Sequence, residues 1–400
     1  MSKTSVAGNH GEDVRSDCLV KISLSLKGGI KLSLESRVEK LYGDHIKSLV
    51  NDIMKFYGIK NASIHIQDSG AVDFVLAARM ESAIRQLTGD TREFLLPSVV
   101  KKEIPSDRKQ KRFTRLYVPG NTPKLMLNAA IHKPDGVILD LEDSVAPSKK
   151  NEARLLVRNA LRAIHFYQSE RMVRINQLPM GLEDLDLVIP QHVNVILIPK
   201  TETATQVNEV AERIGSINKK CKVWLMPIIE TALGIENAFL IATASPDVIA
   251  LAIGLEDYTA DLGVKRTRSG DESLYARMRI VNACKAAHVQ PLDSVFPDFA
   301  DTEGLKEAAI RSKSLGFEGM GCIHPGQIRI IQDGFIPDPE ETEKACRIVM
   351  AFEQAESKGL GVVSLGSKMI DRPVVIRALS TINLAEKFGT LKKDWRKNYE

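Results

Sequence analysis

The chain has 400 residues, 44% of them hydrophobic and 26% charged, with 55 Lys and Arg against 51 Asp and Glu for a net charge of +4. That apolar content excludes a disordered chain, and so small a charge argues against a dedicated nucleic-acid binder. At about 100–200 residues per domain, the length predicts two or three domains, or one large barrel with an appendage.

The basic excess is local. Lys101 to Arg115 holds seven basic and two acidic residues, so the rest of the chain sums to −1. The apolar run Val248 to Leu255 is eight residues, far short of the ~20 needed to span a membrane. The polar N-terminus lacks the apolar stretch of a signal peptide. The five cysteines (Cys18, Cys221, Cys284, Cys322, Cys346) are scattered and form no CxxC, a pattern of free thiols in a reducing compartment. These features predict a cytoplasmic protein with no membrane and no nucleic-acid partner.

Ile22, Leu24 and Leu26 alternate with polar residues, Lys27-Gly28-Gly29 follows, and Ile30, Leu32 and Leu34 alternate again. The pattern predicts a β-hairpin. Ser36 and Glu39 have capping-box spacing. Val38, Leu41, Tyr42, Ile46, Leu49, Ile53 and Met54 then make one helical face, stopped at Gly58. Ile64 and Ile66 predict a strand, and Ala71 to Gln86 a strand running into a helix. The whole is a small α+β domain within residues 1–90. Residues 91–112 are polar and basic, with Pro97 and Pro105, and are expected to be a solvated linker. Contact with the phosphates of a ligand is the alternative for this run.

Eight short apolar runs fill residues 113–400, apart from a helical C-terminal extension. They are RLYVPG from Arg115, GVILDLED from Gly136, MVRIN from Met172, NVILIPK from Asn194, KVWLMPIIE from Lys222, VIALAIGLED from Val248, VQPLDSVF from Val289 and GMGCIHP from Gly319. Buried parallel strands read this way, and eight β/α units over about 250 residues predict an α/β class (β/α)8 TIM barrel. An open doubly wound sheet is the competitor. The count of eight, and the lack of a Gly-rich dinucleotide loop after the first run, favour the barrel.

The runs end on charge: Asp140, Glu142 and Asp143; Arg174 and Asn176; Lys200; Glu230; Asp257; His324. A barrel gathers its strand C-termini at one mouth, where the chemistry sits. Several carboxylates held together need a neutralising partner, and Mg2+ is the economical one. Bland alternatives exist for some of them. Asp140 and Asp143 are also suited to capping the next helix, Arg174 to a structural ion pair, and His324 to the turn before Pro325-Gly326.

YVPGNTPKLMLNAA, DGVILDLEDSVAPSKK, VRIN, IPKTET, IETALGI, AIGLEDYTADLG and KMIDRPVV, in that order over about residues 112–385, resemble the beta subunit of citrate lyase. More broadly they resemble the citryl-, malyl- and citramalyl-CoA lyases of the HpcH/HpaI aldolase superfamily. VAGN, SDCLVKISL, GIKLSLESRVEKLYGDHI and DSGAVDFVLAARMESAI resemble the gamma subunit, the acyl carrier protein of the same complex. The resemblance implies a fused carrier and lyase that cleaves a citryl thioester to oxaloacetate and an acetyl thioester. It assigns Glu230 and Asp257 to Mg2+, Arg174 to the oxo acid, and Pro119, Gly120 and Lys124 to substrate binding. Asp140, Glu142 and Asp143 would support the metal and Arg174. Asp371 would be an acid/base supplied by a neighbouring subunit, implying a homo-oligomer, with a trimer the expected form. A citrate lyase alpha (transferase) subunit is a further implied partner. In the carrier family a serine two residues before the aspartate bears a phosphoribosyl-dephospho-CoA arm. Here that position is Arg15, and Ser16 is the adjacent hydroxyl. Either Ser16 takes the arm or the domain is unloaded. The unloaded case points to free malyl-CoA, citramalyl-CoA or a related thioester. A non-catalytic carrier or scaffold is the alternative of another class.

Overall fold

The computed structural model describes residues 3–99, 106–217, 222–366 and 368–398. Lys101, Lys102 and Cys221 lie outside them. The N-terminal sheet has the order β1-β2-β4-β3, from β1 (Thr4–Gly8), β2 (Cys18–Leu24), β3 (Ile30–Ser36) and β4 (Ala62–Asp68). The helix α1 (Glu39–Phe56) connects β3 to β4, and α2 (Asp73–Thr88) follows.

The expected hairpin does not form. β2 pairs antiparallel and β3 parallel with β4, which lies between them. Ala62, Ile64 and Ile66 of β4 are almost fully buried, and Val20 and Ile22 on one side and Leu32 and Leu34 on the other fall opposite them. β2 and β4 are thus the inner strands, each paired along both backbone edges, and β4 buries the most residues of the sheet. The capping box is also absent. Val38 is the N-cap without a side-chain bond, because Ser36 Oγ donates to Asp68 and accepts from the Val38 N–H. Gly58 ends α1 as expected, at φ +69°. Ala71 to Gln86 contains helix and no strand, and β1 has no counterpart among the sequence expectations.

All eight apolar runs are strands: β5 (Thr114–Pro119), β6 (Gly136–Asp140), β7 (Glu170–Arg174), β8 (Val195–Ile198), β9 (Trp224–Ile229), β10 (Ala250–Ile253), β11 (Gln290–Leu292) and β12 (Met320–Cys322). They pair in parallel in chain order, β12 returns to β5, and one bridge, Asp293 to Met320, joins β12 to the β11 end. Alternate residues divide between two cores. Ile138, Met172, Leu197, Met226 and Ile228 fill the barrel, while Val137, Leu139, Val173 and Ile196 pack outward against the helices. Each such side chain contributes about 1.5–3 kcal/mol by leaving water.

Residues 106–112 depart from a solvated linker. Arg112 is fully buried and forks onto Glu170 at 2.7 and 2.8 Å, with a third bond to Gln290. Trp224 Nε1 donates to the Ser106 carbonyl at 3.0 Å. Glu170, Gln290 and Trp224 open their strands, so this segment closes the barrel at the end opposite the mouth.

The carrier-like domain is joined to the barrel through α2, which packs on α4 (Lys150–Ala163). Arg79 of α2 is fully buried. It forks onto Asp17 of its own domain at 2.9 and 3.0 Å and reaches Glu152 at 3.2 Å and Asn121 at 2.8 Å in the barrel. Arg158 of α4 bonds both oxygens of buried Glu81. Phe74, Val75 and Ala78 belong to the outer core of the barrel. After β12, the helices Pro339–Glu356 and Arg372–Lys387 pack together around a separate small core. A hairpin of β13 (Val363–Leu365) and β14 (Lys368–Ile370) lies between them in the chain. Among the described residues no helix is long and apolar enough to cross a membrane. Cys18, Cys284 and Cys322 are buried free thiols, and Cys346 is buried as well.

Candidate active site

β6 ends on Asp140 and β7 on Arg174, and their register sets the two side by side. The Asp140 carboxylate accepts the N–H groups of Glu142 (3.0 Å) and Ser144 (3.2 Å), which hold the turn after the strand. It also accepts Arg174 Nε at 2.6 Å and Nη2 at 2.7 Å. Arg174 Nη1 lies 3.0 Å from Glu142 and 3.4 Å from Asp143, and the guanidinium carbon sits 5.4 Å from the centre of the Tyr117 ring. Burial opposes the Arg174 charge, and the Asp140 fork outweighs it, leaving the pKa above the usual arginine value. Asp140 therefore holds the turn after its strand and does not cap the next helix, whose N-cap is Lys149 with no side-chain bond; the ion-pair reading of Arg174 holds, and both residues also line a cavity at the mouth.

Glu142 and Asp143 share a site and titrate as a pair. Burial would raise Glu142, yet bonding with Asp143, the Gln177 amide and the charges of Arg174 and Lys200 bring it down to about 2. Burial and then the Glu142 carboxylate push Asp143 up to about 6. Lys200, two residues past β8, has a left-handed backbone at φ +46°, which is strained for a side chain of this kind. That turn aims its N–H at Glu230 Oε1, 2.7 Å away. Its Nζ lies 3.5 Å from Glu142 and from Asp257.

Glu230 follows β9 and is 3% exposed. Burial drives its pKa up to about 8; the Lys200 N–H opposes this and the Asp257 charge adds to it. Gly254 packs directly on it, since a Cβ there would lie 2.4 Å from Glu230 Oε2. Asp257 projects from the helix Leu255–Asp261 and is partly exposed.

The cavity holds about 460 Å³ and is lined by Pro119, Asp140, Asp143, Arg174, Glu230 and Asp257, with Ile228, Ala252 and Val295 as apolar wall. Six of the residues expected at the site therefore meet there. Glu142 is buried behind Arg174. Gly120 donates its N–H to the Asp140 carbonyl at 2.7 Å, and a Cβ would strike that oxygen. Lys124 is exposed on α3 (Pro123–Asn128) and lies outside the cavity lining. Asp371 caps the helix Arg372–Lys387 through the Val374 N–H at 3.2 Å and does not line the cavity of its own chain. Ser16 is in the carrier-like domain, at φ +58°, beside the Asp17 that Arg79 holds. His324 is exposed and stacks on Phe299, a turn residue. Tyr117 is a neighbour that the sequence did not single out, and Lys200 one that it named only as the charged end of a run. The parity of β5 with Pro119 was the available signal for the first, and the position after NVILI for the second.

Five carboxylates, Asp140, Glu142, Asp143, Glu230 and Asp257, face two cations, Arg174 and Lys200. Among the described residues no cluster of three or more His, Cys, Asp or Glu is arranged to hold a metal alone. Two adjacent oxygen donors, one of them buried and reluctant to ionise, fit a hard divalent cation that takes its remaining ligands from water and substrate.

Residues 114–325 match the family described as HpcH/HpaI aldolase/citrate lyase, and residues 2–87 match an acyl carrier family described as the malonate decarboxylase delta subunit. The citrate lyase subunit beta of Haemophilus influenzae is 41% identical over 283 residues, covering 69% of this chain and 97% of that protein. The mitochondrial citramalyl-CoA lyase of Homo sapiens is 34% identical over 286 residues, covering 68% and 84%. The structure of CitE from Mycobacterium tuberculosis in complex with magnesium, acetoacetate and coenzyme A aligns with a TM-score of 0.60 at 30% identity, covering 70% of this chain and 99% of that one. With its barrel, its charged mouth and these relatives, the chain belongs to the HpcH/HpaI aldolase/citrate lyase family, and carries an acyl-carrier-like domain ahead of the barrel.

Proposed function

We propose that this chain is a Mg2+-dependent carbon–carbon lyase that cleaves a citryl thioester, CoA- or carrier-bound, to oxaloacetate and an acetyl thioester. The observation that carries it is one cavity in which Arg174 stands beside buried Glu230 and neighbouring Asp257, in a chain so similar to a citrate lyase beta subunit. Glu230 and Asp257 would hold Mg2+, which when bound supplies Lewis-acid polarisation of the 2-oxo oxygen. Arg174 binds and orients the oxo acid through its carboxylate. Asp140 and Glu142 keep the guanidinium fixed, so little side-chain freedom is lost on binding.

Cleavage removes the proton of the tertiary hydroxyl and breaks the adjacent C–C bond. The electron pair passes to the acetyl carbon next to the thioester, which then takes up a proton. We assign this proton handling to Asp371 of a second copy of the chain, which makes the working form a homo-oligomer, a trimer of barrels. Pro119 and Gly120 shape the loop that receives the acyl group, and exposed Lys124 is suited to a phosphate of the CoA portion. Ser16 is the candidate anchor for a prosthetic arm, an alpha subunit the candidate partner, and the cytoplasm the expected location. A second reading, a lyase for citramalyl-CoA or malyl-CoA with an unloaded carrier domain, draws support from Arg15 and from the human relative. A scaffold without catalysis leaves the buried, crowded carboxylates without a purpose.

The test is Mg2+-dependent release of 2-oxo acid from citryl-CoA, with malyl-CoA and citramalyl-CoA in parallel. Oxaloacetate from citryl-CoA is the expected result. Release only from another thioester would select the second reading, and none from any of the three would overturn lyase activity on free CoA thioesters.

A further inference from the structure

Among the described residues, the floor of the cavity holds a cation with no ion pair of its own. Arg115, Tyr117 and Pro119 alternate along β5 and all line the cavity, with Arg115 deepest by about 7 Å per pair of residues. Arg115 is 1% exposed. Its Nη2 donates to the Asp293 backbone carbonyl at 3.0 Å, its Nη1 faces the Met226 sulfur at 3.7 Å, and its Nε has no hydrogen-bond partner among the described residues. The nearby Asp293 carboxylate is bonded to Arg277 instead. Arg115 in the floor and Arg277, which lies outside the cavity lining, thus share one carboxylate, and burial lowers the Arg115 pKa. A buried charge left so poorly compensated is costly, and an arriving anion would relieve it. The rim binds one carboxylate through Arg174, and the same cavity leads down to Arg115.

We propose that Arg115 is a specificity-determining residue that receives the second carboxylate of a dicarboxylic acyl group, so that the cavity selects a thioester with two free carboxylates over one with a methyl group there. This rests on the lyase function above. It places citryl thioesters ahead of citramalyl thioesters, whose oxo-acid product is pyruvate.

The test compares the full-length wild type with Arg115→Met and Arg115→Lys on citryl-CoA and citramalyl-CoA with saturating Mg2+. Methionine keeps an unbranched side chain of similar reach and removes the buried charge, so the fold should persist. In Arg115→Met, kcat/KM for citryl-CoA should fall by about 30-fold or more while that for citramalyl-CoA stays within about 3-fold, and lysine should restore part of the preference. Equal losses on both substrates, or no change on either, would overturn the proposal and leave the lyase function standing. If the wild type cleaves neither, lyase activity on these two free CoA thioesters fails, and calorimetric binding of oxaloacetate and pyruvate with Mg2+ decides the role of Arg115. Tighter oxaloacetate binding that is lost in Arg115→Met supports it; equal binding in both proteins overturns it.

Discussion

Asp143 and Glu142 give the mouth a pH response whose sign follows from their opposite shifts. Asp143 rises from 3.8 to about 6 on folding, so the folded protein binds its proton more tightly than the unfolded chain. Its contribution to stability is fully present below about 4 and is lost as pH climbs through about 6. Glu142 falls to about 2, and its contribution is lost only in stronger acid, as pH falls from about 4.5 toward about 2. Buried Glu230, raised to about 8, adds its own decline above about 4.5, so thermal unfolding of Asp143→Asn should show a shallower decline between pH 4 and 6 than the wild type; a parallel profile would disprove the assignment. Glu230→Gln removes a proposed Mg2+ ligand with almost no change of shape. Oxo-acid release should drop by about 10²-fold or more, with the circular dichroism spectrum unchanged. Full Mg2+-dependent activity in that variant would move the metal elsewhere. Glu230 and Asp257 were legible because a carboxylate ending an apolar run is hard to explain otherwise. Arg115 was not, since an arginine opening a run is as easily the first solvated residue of a strand. Asp371 came from resemblance alone, and within one chain it is a helix cap.

Among the elements, the ends of β9 and β10 show how backbone sets the site. Gly254 donates its N–H to the Ile229 carbonyl at 3.0 Å, which brings it against the Glu230 carboxylate. An alanine Cβ would lie 2.4 Å from Glu230 Oε2 and 2.9 Å from the Glu230 Cβ, so the carboxylate must turn away and the backbone of the two strand ends must give by a few tenths of an ångström. Gly254→Ala should remain folded by circular dichroism with a lowered melting temperature, and should lose about 10²-fold in activity, as a 1 Å misplacement does. Undiminished activity would mean that Glu230 does not act from this position. The eight barrel strands could be read off the chain because burial on both faces makes each a continuous apolar run. The N-terminal sheet could be read only in part. Alternation marks β2 and β3 as strands but says nothing of their partners, and only the burial of β4 decides that it separates them. Ser36 fits a capping box in sequence, and the competing acceptor that takes its hydroxyl, Asp68, is remote in the chain.

At the scale of the molecule, the carrier-like domain is fixed on the barrel. Arg79 ties Asp17, next to Ser16, to Glu152 and to Asn121, and Asn121 follows the Pro119-Gly120 loop at the cavity. An arm attached at Ser16 would thus work from a fixed anchor. The same contacts make unfolding cooperative, because α2 contributes to the N-terminal core and to the barrel core at once. Arg79→Met keeps the bulk but leaves two buried carboxylates short of their shared cation, a loss of about 3–5 kcal/mol. Glu152 retains Lys149 at 2.8 Å, and Asp17 retains the Cys18 N–H and the Asn9 amide, so both domains can still fold. Calorimetry of the wild type should show one transition. The variant should show an earlier one for the N-terminal domain, separated from the barrel. A single unshifted transition in Arg79→Met would mean that the apolar contacts of Phe74, Val75 and Ala78 alone hold the domains together.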